Sequence, residues 1–350
     1  MENPTKEPKG DYNYESNFSD LDTLLPPSAF PTKTEVLRKY VSFPNFSWRL
    51  ASLFFGWYLL NVAYVIENKV ILNLIPLPWT LSCLQLTVGW LFAVLFWATG
   101  FRSAPLLKSY KVFLKVFLPQ GLCHLFVHLG AVVSMGIGAV SFTHVVKSAE
   151  PVVTALFSAI FLDDFLNLYA YLSLVPVVVG VALSSVKELN FSWVAFWFAM
   201  LSNAGSSLRS VFAKLTMKNK NDLGTNLTSS NIYMLLTLIA SVGSVFLAFL
   251  SESTKWVPYW TNATLKMTNK EKYLVLFRTF FSCVCYFLCN EMSFICLGEV
   301  NQVSHAIANT LKRIVLISSS IVAFGYKITT LGYFGMTIAI LGALAYSIFK

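Results

Sequence analysis

From about residue 50 to its end, the chain is a succession of apolar runs of roughly 20 residues, the length a helix needs to cross the hydrocarbon core of a bilayer. Ten can be drawn, near 50–72, 79–100, 111–134, 140–162, 168–186, 191–216, 230–250, 271–296, 302–324 and 329–349. No other feature restricts the fold as strongly, because in lipid every backbone amide must be paired within its own helix or within a closed barrel. Of the 350 residues, 56% are hydrophobic and 12% are charged, about half the charged share of a soluble protein. The expected fold class is an all-α membrane protein.

Most links between runs are short, and the longest polar connections lie near 217–229 and 251–270. An even number of spans puts both termini on one side. Loops on that side carry Arg38, Lys39, Arg49, Arg102, Lys108, Lys218, Lys220 and Lys350, and the opposite loops carry Lys187, Lys255, Lys266, Lys270 and Lys327. The excess places both termini in the cytosol. Five Asn-x-Ser/Thr sites, at Asn17, Asn45, Asn190, Asn226 and Asn262, fall on both sides and carry no weight. The polar segment 1–48 contains Glu2, Glu7, Asp11, Glu15, Asp20 and Asp22, too acidic for a transit peptide. It reads as a mobile tail, with the first span as its own signal anchor.

The net charge of +9 does not point to nucleic acid, because several cations lie inside apolar runs. The six cysteines lack metal or redox spacing and read as small buried hydrophobes. No metal and no cofactor is expected. There is no phosphate-binding Gly-rich loop with Lys, no HExxH and no Gly-x-Ser-x-Gly, so neither an ATPase nor any other enzyme is expected. Asp163 and Asp164 read as a polar helix end.

The intramembrane cations are the informative residues. A cation at the centre of a span costs roughly 2.5–3.5 kcal/mol on insertion scales. Lys69, Lys111, Lys115 and Lys214 lie near span ends, where snorkelling accounts for them. Lys312 and Arg313 do not: they lie about ten residues into their span, roughly 15 Å deep by helical rise. No acid lies within a turn of them, and the nearest on neighbouring spans are Glu291 and Glu67. Lys147 is shallower, and Glu150 one turn on leaves a local Lys147–Glu150 salt bridge as an open alternative. Unmatched positive charge lining a cavity suits a phosphoryl group, with Arg as a bidentate fork and Lys as a point charge.

All four histidines, His124, His128, His144 and His305, fall in spans three, four and nine. Tyr286 and Asn290 share a helical face of span eight, with Glu291 beside them. A lone histidine in a span is as readily a helix–helix hydrogen-bonder as a ligand contact.

The two halves look related. "VSFTHVVKSAEP" in the fourth span and "VSHAIANTLKRI" in the ninth both open with Val-Ser, reach a His and carry cations. A repeat of five spans must invert in the membrane, the architecture of secondary transporters with a site near the midplane. The divisions are the tail 1–48, spans one to five in 49–189 and spans six to ten in 190–350.

"WYLLNVAYVIENKVILN" (57–73), "AVSFTHVVKSAEPVVTALFSAIF" (139–161) and "VSHAIANTLKRIVLISSSIVAFG" (303–325) closely resemble the plastid phosphate translocators of the drug/metabolite transporter superfamily. The resemblance runs from about 48 to 349. It implies ten transmembrane helices in two inverted-topology halves and counter-exchange of inorganic phosphate with triose phosphate, 3-phosphoglycerate, phosphoenolpyruvate or sugar phosphates. It makes Lys147, Lys312 and Arg313 the phosphate-binding cations, and places His128 near the three-carbon end of the substrate. The family has a Tyr in span eight where this chain has Cys289, with Tyr286 one turn earlier. It often has an aromatic where this chain has Ser206. Tyr286 and Asn290 are the candidates for reading the carbon skeleton. The resemblance also implies a plastid membrane, and the missing transit peptide suits an outer membrane of a complex plastid such as the apicoplast. A monomer is expected. Two other readings stay open: a nucleotide-sugar or other organic-anion exchanger of the Golgi or endoplasmic reticulum, and a receptor or scaffold that transports nothing.

Overall fold

The computed structural model describes residues 48–163, 165–186, 191–217, 223–300, 302–326 and 328–349. The tail through residue 47, Asp164, Lys187, Asn190, Lys218, Lys220, Lys327 and Lys350 lie outside these, as does the side chain of Lys214. Long helices follow the apolar runs closely. They are α1 (Trp48–Leu74), α2 (Pro78–Ala98), α3 (Tyr110–Ile137), α4 (Val140–Lys147) with α5 (Glu150–Leu162), α6 (Leu168–Val186) and α7 (Trp193–Met217). After the connection come α8 (Ser229–Glu252), a short α9 (Trp256–Thr264), α10 (Asn269–Glu299), α11 (Gln302–Phe324) and α12 (Thr330–Phe349). Among the described residues, nine helical segments are long and apolar enough to cross a membrane. The 25-residue α7 is as long, but Ser202, Asn203, Ser206, Ser207, Arg209 and Ser210 make it less apolar. The protein is an all-α membrane protein.

Two features depart from the sequence reading. The fourth span is two helices, broken at Ser148–Ala149. Pro151 has no N–H to give to the carbonyl of Lys147, and its ring disfavours a continuous helix. Ser148 instead turns its hydroxyl onto the carbonyl of Val145 at 2.5 Å. The connection near 251–270 holds α9, whose Trp256, Val257 and Tyr259 are exposed. An antiparallel ribbon, β1 (Leu106–Leu107) with β2 (Gly224–Thr225), ties two loops together.

Lys69 also departs from expectation. It does not snorkel: it is 8% exposed and donates to the carbonyls of Met135 and Gly138, both at 2.9 Å. Those carbonyls lie at the end of α3, where a helix dipole favours a cation. Lys111 and Lys115 are exposed near the start of α3, as snorkelling requires. Glu252, 4% exposed, accepts from the backbone of Trp79 (3.2 Å) and Thr80 (2.8 Å), so a carboxylate sits on the N-terminus of α2.

Three pairs of helices five spans apart in sequence pack on one another. α6 lies on α12, α2 on α8, and α4 on α11. Between α6 and α12 the backbones touch: a Cβ at Gly180 would come 2.5 Å from the oxygen of Gly335. Without a hydrophobic driving force between helices in lipid, such close contact is what dispersion requires. α3 and α7 are equally close, and a Cβ at Gly130 would meet the oxygen of Phe198 at 2.6 Å.

Candidate functional site

The broken fourth span explains how two of the charges are tolerated. Lys147 is the last residue of α4 and Glu150 the first of α5. A helix C-terminus favours a cation and an N-terminus favours an anion. The break therefore presents one charge of each sign to the interior, each at the helix end that suits it.

These ends line a cavity of about 460 Å³. Around it stand Lys147 and Glu150 from the break, Lys312 and Arg313 from α11, and Arg209 from α7. Among the described residues, four basic side chains and one carboxylate leave a formal excess of three positive charges. All four histidines contribute, with Tyr64, Tyr286 and Asn290. On the side where the described chain begins and ends, the lining reaches the final turns of α5, α7 and α10 at Ser158, Ala213 and Leu297, and the first residue of α8, Ser229. On the opposite side it stops at Met135 and Leu316, where Lys69 ties α1 to α3.

Every candidate named from the sequence, Lys147, Lys312, Arg313, His128, Tyr286 and Asn290, lines this one cavity. Their partners differ from those expected. Arg313, 5% exposed, forms an ion pair with Glu150. The hydroxyl of Ser206 donates to the other carboxylate oxygen. So Arg313 does have a neutralising acid, on another span. The local Lys147–Glu150 bridge does not form: Lys147 donates to the hydroxyl of Ser202, which passes a hydrogen bond to the carbonyl of Val127 at 2.7 Å. Glu291 and Glu67 are taken by Arg102 and Arg278. Lys312 holds its ammonium 4.7 Å above the ring of Trp57, and no carboxylate among the described residues is within ion-pair distance.

His128 and His124 share the neighbouring wall with Tyr286. His128 lies against Tyr286 with ring centroids 3.9 Å apart, and Tyr64 packs on Tyr286 at 5.5 Å. Asn290 donates its amide to the carbonyl of Tyr286 at 2.9 Å. Arg209 meets His124 Nδ1 at 2.8 Å and lies over Phe294. Arg209 was missed in the sequence. It carries the same signal as Lys312, a cation inside a span, in the stretch "SNAGSSLRS". Among the described residues, no cluster of His, Cys, Asp and Glu is arranged to hold a metal, and the six cysteines are free.

The Triose-phosphate Transporter family matches residues 48–347. The chain belongs to that family. It is 34% identical over 324 residues to the chloroplastic triose phosphate/phosphate translocator of Spinacia oleracea, covering 92% of this chain and 76% of that relative. It is equally 34% identical over 321 residues to the chloroplastic glucose-6-phosphate/phosphate translocator 1 of Arabidopsis thaliana, covering 91% and 78%. A solved crystal structure 14% identical in sequence superimposes with a TM-score of 0.50 over 86% of this chain and 98% of that one. That likeness concerns the fold alone.

Proposed function

We propose that this member of the Triose-phosphate Transporter family is an antiporter that exchanges inorganic phosphate for phosphorylated C3 compounds by alternating access. The observation that carries the reading is the cavity itself. It gathers Lys147, Arg209, Lys312 and Arg313 around one carboxylate, and its excess charge calls for a multivalent anion. The relatives named as phosphate translocators agree with that anion being phosphate. Arg313 supplies a fork and Lys147 and Lys312 point charges for the phosphoryl group, while His128, Tyr286 and Asn290 face the carbon skeleton.

Ten spans in two inverted halves, divided near residues 189 and 190, provide the moving parts. The packing of α6 on α12, α2 on α8 and α4 on α11 supports a two-fold relation between the halves. The protein acts as a transporter and not as an enzyme, in a plastid envelope, with an outer membrane of a complex plastid as the proposed site and both termini cytosolic. A monomer contains the whole cavity.

A second reading concerns substrate size. The glucose 6-phosphate translocator matches as well as the triose phosphate translocator, and a cavity of about 460 Å³ leaves room for a hexose phosphate. One experiment separates the readings. Proteoliposomes loaded with phosphate are offered labelled triose phosphate, 3-phosphoglycerate, phosphoenolpyruvate, glucose 6-phosphate or a nucleotide sugar. Uptake of the C3 compounds supports the first reading, and preference for glucose 6-phosphate the second. Uptake of the nucleotide sugar alone, or of nothing, overturns both.

A further inference from the structure

The two adjacent cations of α11 are held in different ways. Arg313 is paired with Glu150. Lys312 has the face of Trp57 and, among the described residues, no acid. Trp57 lies in α1, is 1% exposed, and stacks on His305 with ring centroids 5.3 Å apart and planes within 13°. His305 and Lys312 stand two turns apart on α11, roughly 10.5 Å by helical rise. An indole 5.3 Å from one and 4.7 Å from the other fills the space between them. Tyr58 fixes this arrangement, because its hydroxyl donates to the carbonyl of Ala308, between the two, at 2.5 Å.

An aromatic face attracts an ammonium through its quadrupole but carries no net charge. It gives Lys312 a partner inside the membrane and leaves its charge available to an anion. A carboxylate in the same place would neutralise it. A Lys side chain also has four flexible bonds and, without a partner, extends toward water. The lining of this cavity extends past His305 toward the side where α11 begins. We infer that Trp57 is the positioning residue of Lys312: its indole, wedged between His305 and Lys312, keeps the ammonium at depth, charged and pointed at the phosphate. This rests on the phosphate-exchange reading.

The test compares wild type, Trp57→Phe and Trp57→Leu in proteoliposomes exchanging phosphate. Phe keeps a weaker π face, while Leu keeps apolar bulk without one. KM for phosphate is expected to rise modestly in Trp57→Phe and on the order of ten-fold in Trp57→Leu, with the maximal rate largely kept. In parallel, reductive methylation of Lys312 is followed by mass spectrometry on the purified protein. It should be faster in Trp57→Leu than in Trp57→Phe or wild type, because the released amine reaches solvent. A lower yield and lower maximal rate in Trp57→Leu, with KM and methylation unchanged, would mean that Trp57 only packs, and the inference falls. If wild type exchanges no phosphate, the transport reading fails instead, and the methylation rates alone decide the role of Trp57.

Discussion

Glu150 on the first turn of α5 and Arg313 in the middle of α11 form an ion pair across 163 residues of sequence. The pair joins α5 to α11 in the lining of a cationic cavity, and among the described residues Glu150 is the one carboxylate there. It neutralises one of the four positive charges, and Lys147, Arg209, Lys312 and the remaining N–H groups of Arg313 still face the cavity.

Glu150→Gln follows directly from this. Removing one partner of a buried pair leaves the other charge uncompensated, at a cost of about 3 kcal/mol, the lower end because Glu150 keeps 18% of its side-chain exposure. The variant should unfold at a lower temperature in detergent. Added phosphate should recover more of the loss than it adds to wild type, because the anion then takes the place of the carboxylate. Thermal unfolding with and without phosphate measures both. An unchanged transition would mean that Glu150 does not compensate Arg313.

The cations themselves are tested by transport. Lys147→Ala, Lys312→Ala and Arg313→Ala should each abolish phosphate exchange while membrane insertion persists. Arg313→Lys should also be severe. A guanidinium can bond Glu150 and a phosphate oxygen at once in fixed geometry, and an ammonium cannot reproduce that fork. Near-normal exchange by Arg313→Lys would remove the fork from the mechanism.

The spans were legible because apolar runs of bilayer length are an unambiguous pattern, and Lys147, Lys312 and Arg313 stood out as charges where charge is costly. What the sequence hid was partner choice. Glu150 lies one turn from Lys147, so a local bridge was the natural alternative, but the break at Ser148–Ala149 turns Glu150 toward α11. Pro151 signals that break, yet apolar residues resume at once and mask it. Lys69 looked like a snorkelling residue because its partners are two backbone carbonyls at the end of α3, which no residue type reveals. Helix α9, nine residues long, falls below the length at which apolar periodicity is decisive.

Selectivity should reside on the other wall. The His128 and Tyr286 rings lie against each other, and neither takes part in the hydrogen bonds of the Glu150–Arg313 pair. His128→Ala is expected to reduce triose phosphate uptake more than phosphate–phosphate exchange. Tyr286→Phe keeps the ring against His128 and removes only the hydroxyl, so it should alter the order of preference among carbon skeletons and spare phosphate. Equal loss of both substrates in His128→Ala would make the histidine structural. An unchanged preference in Tyr286→Phe would leave its hydroxyl without a role in recognition.

The excess charge also sets the kinetics. Two unit charges 6 Å apart at an effective dielectric of about 20 repel by roughly 3 kcal/mol. Glu150 offsets one of four cations, and the remaining three are screened by water while the cavity is open. Alternating access requires a state closed on both sides, in which that screening is lost. Reorientation without an anion should therefore be slow. Phosphate or triose phosphate, close to −2, cancels most of the excess and lowers the barrier in both directions. The expected behaviour is obligatory one-for-one exchange: vesicles loaded with phosphate take up labelled phosphate many times faster than empty vesicles, and Glu150→Gln, with one more uncompensated charge, widens that ratio. Equal uptake into loaded and empty vesicles would show net transport, and the cations of the cavity could not then impose a barrier to the empty carrier.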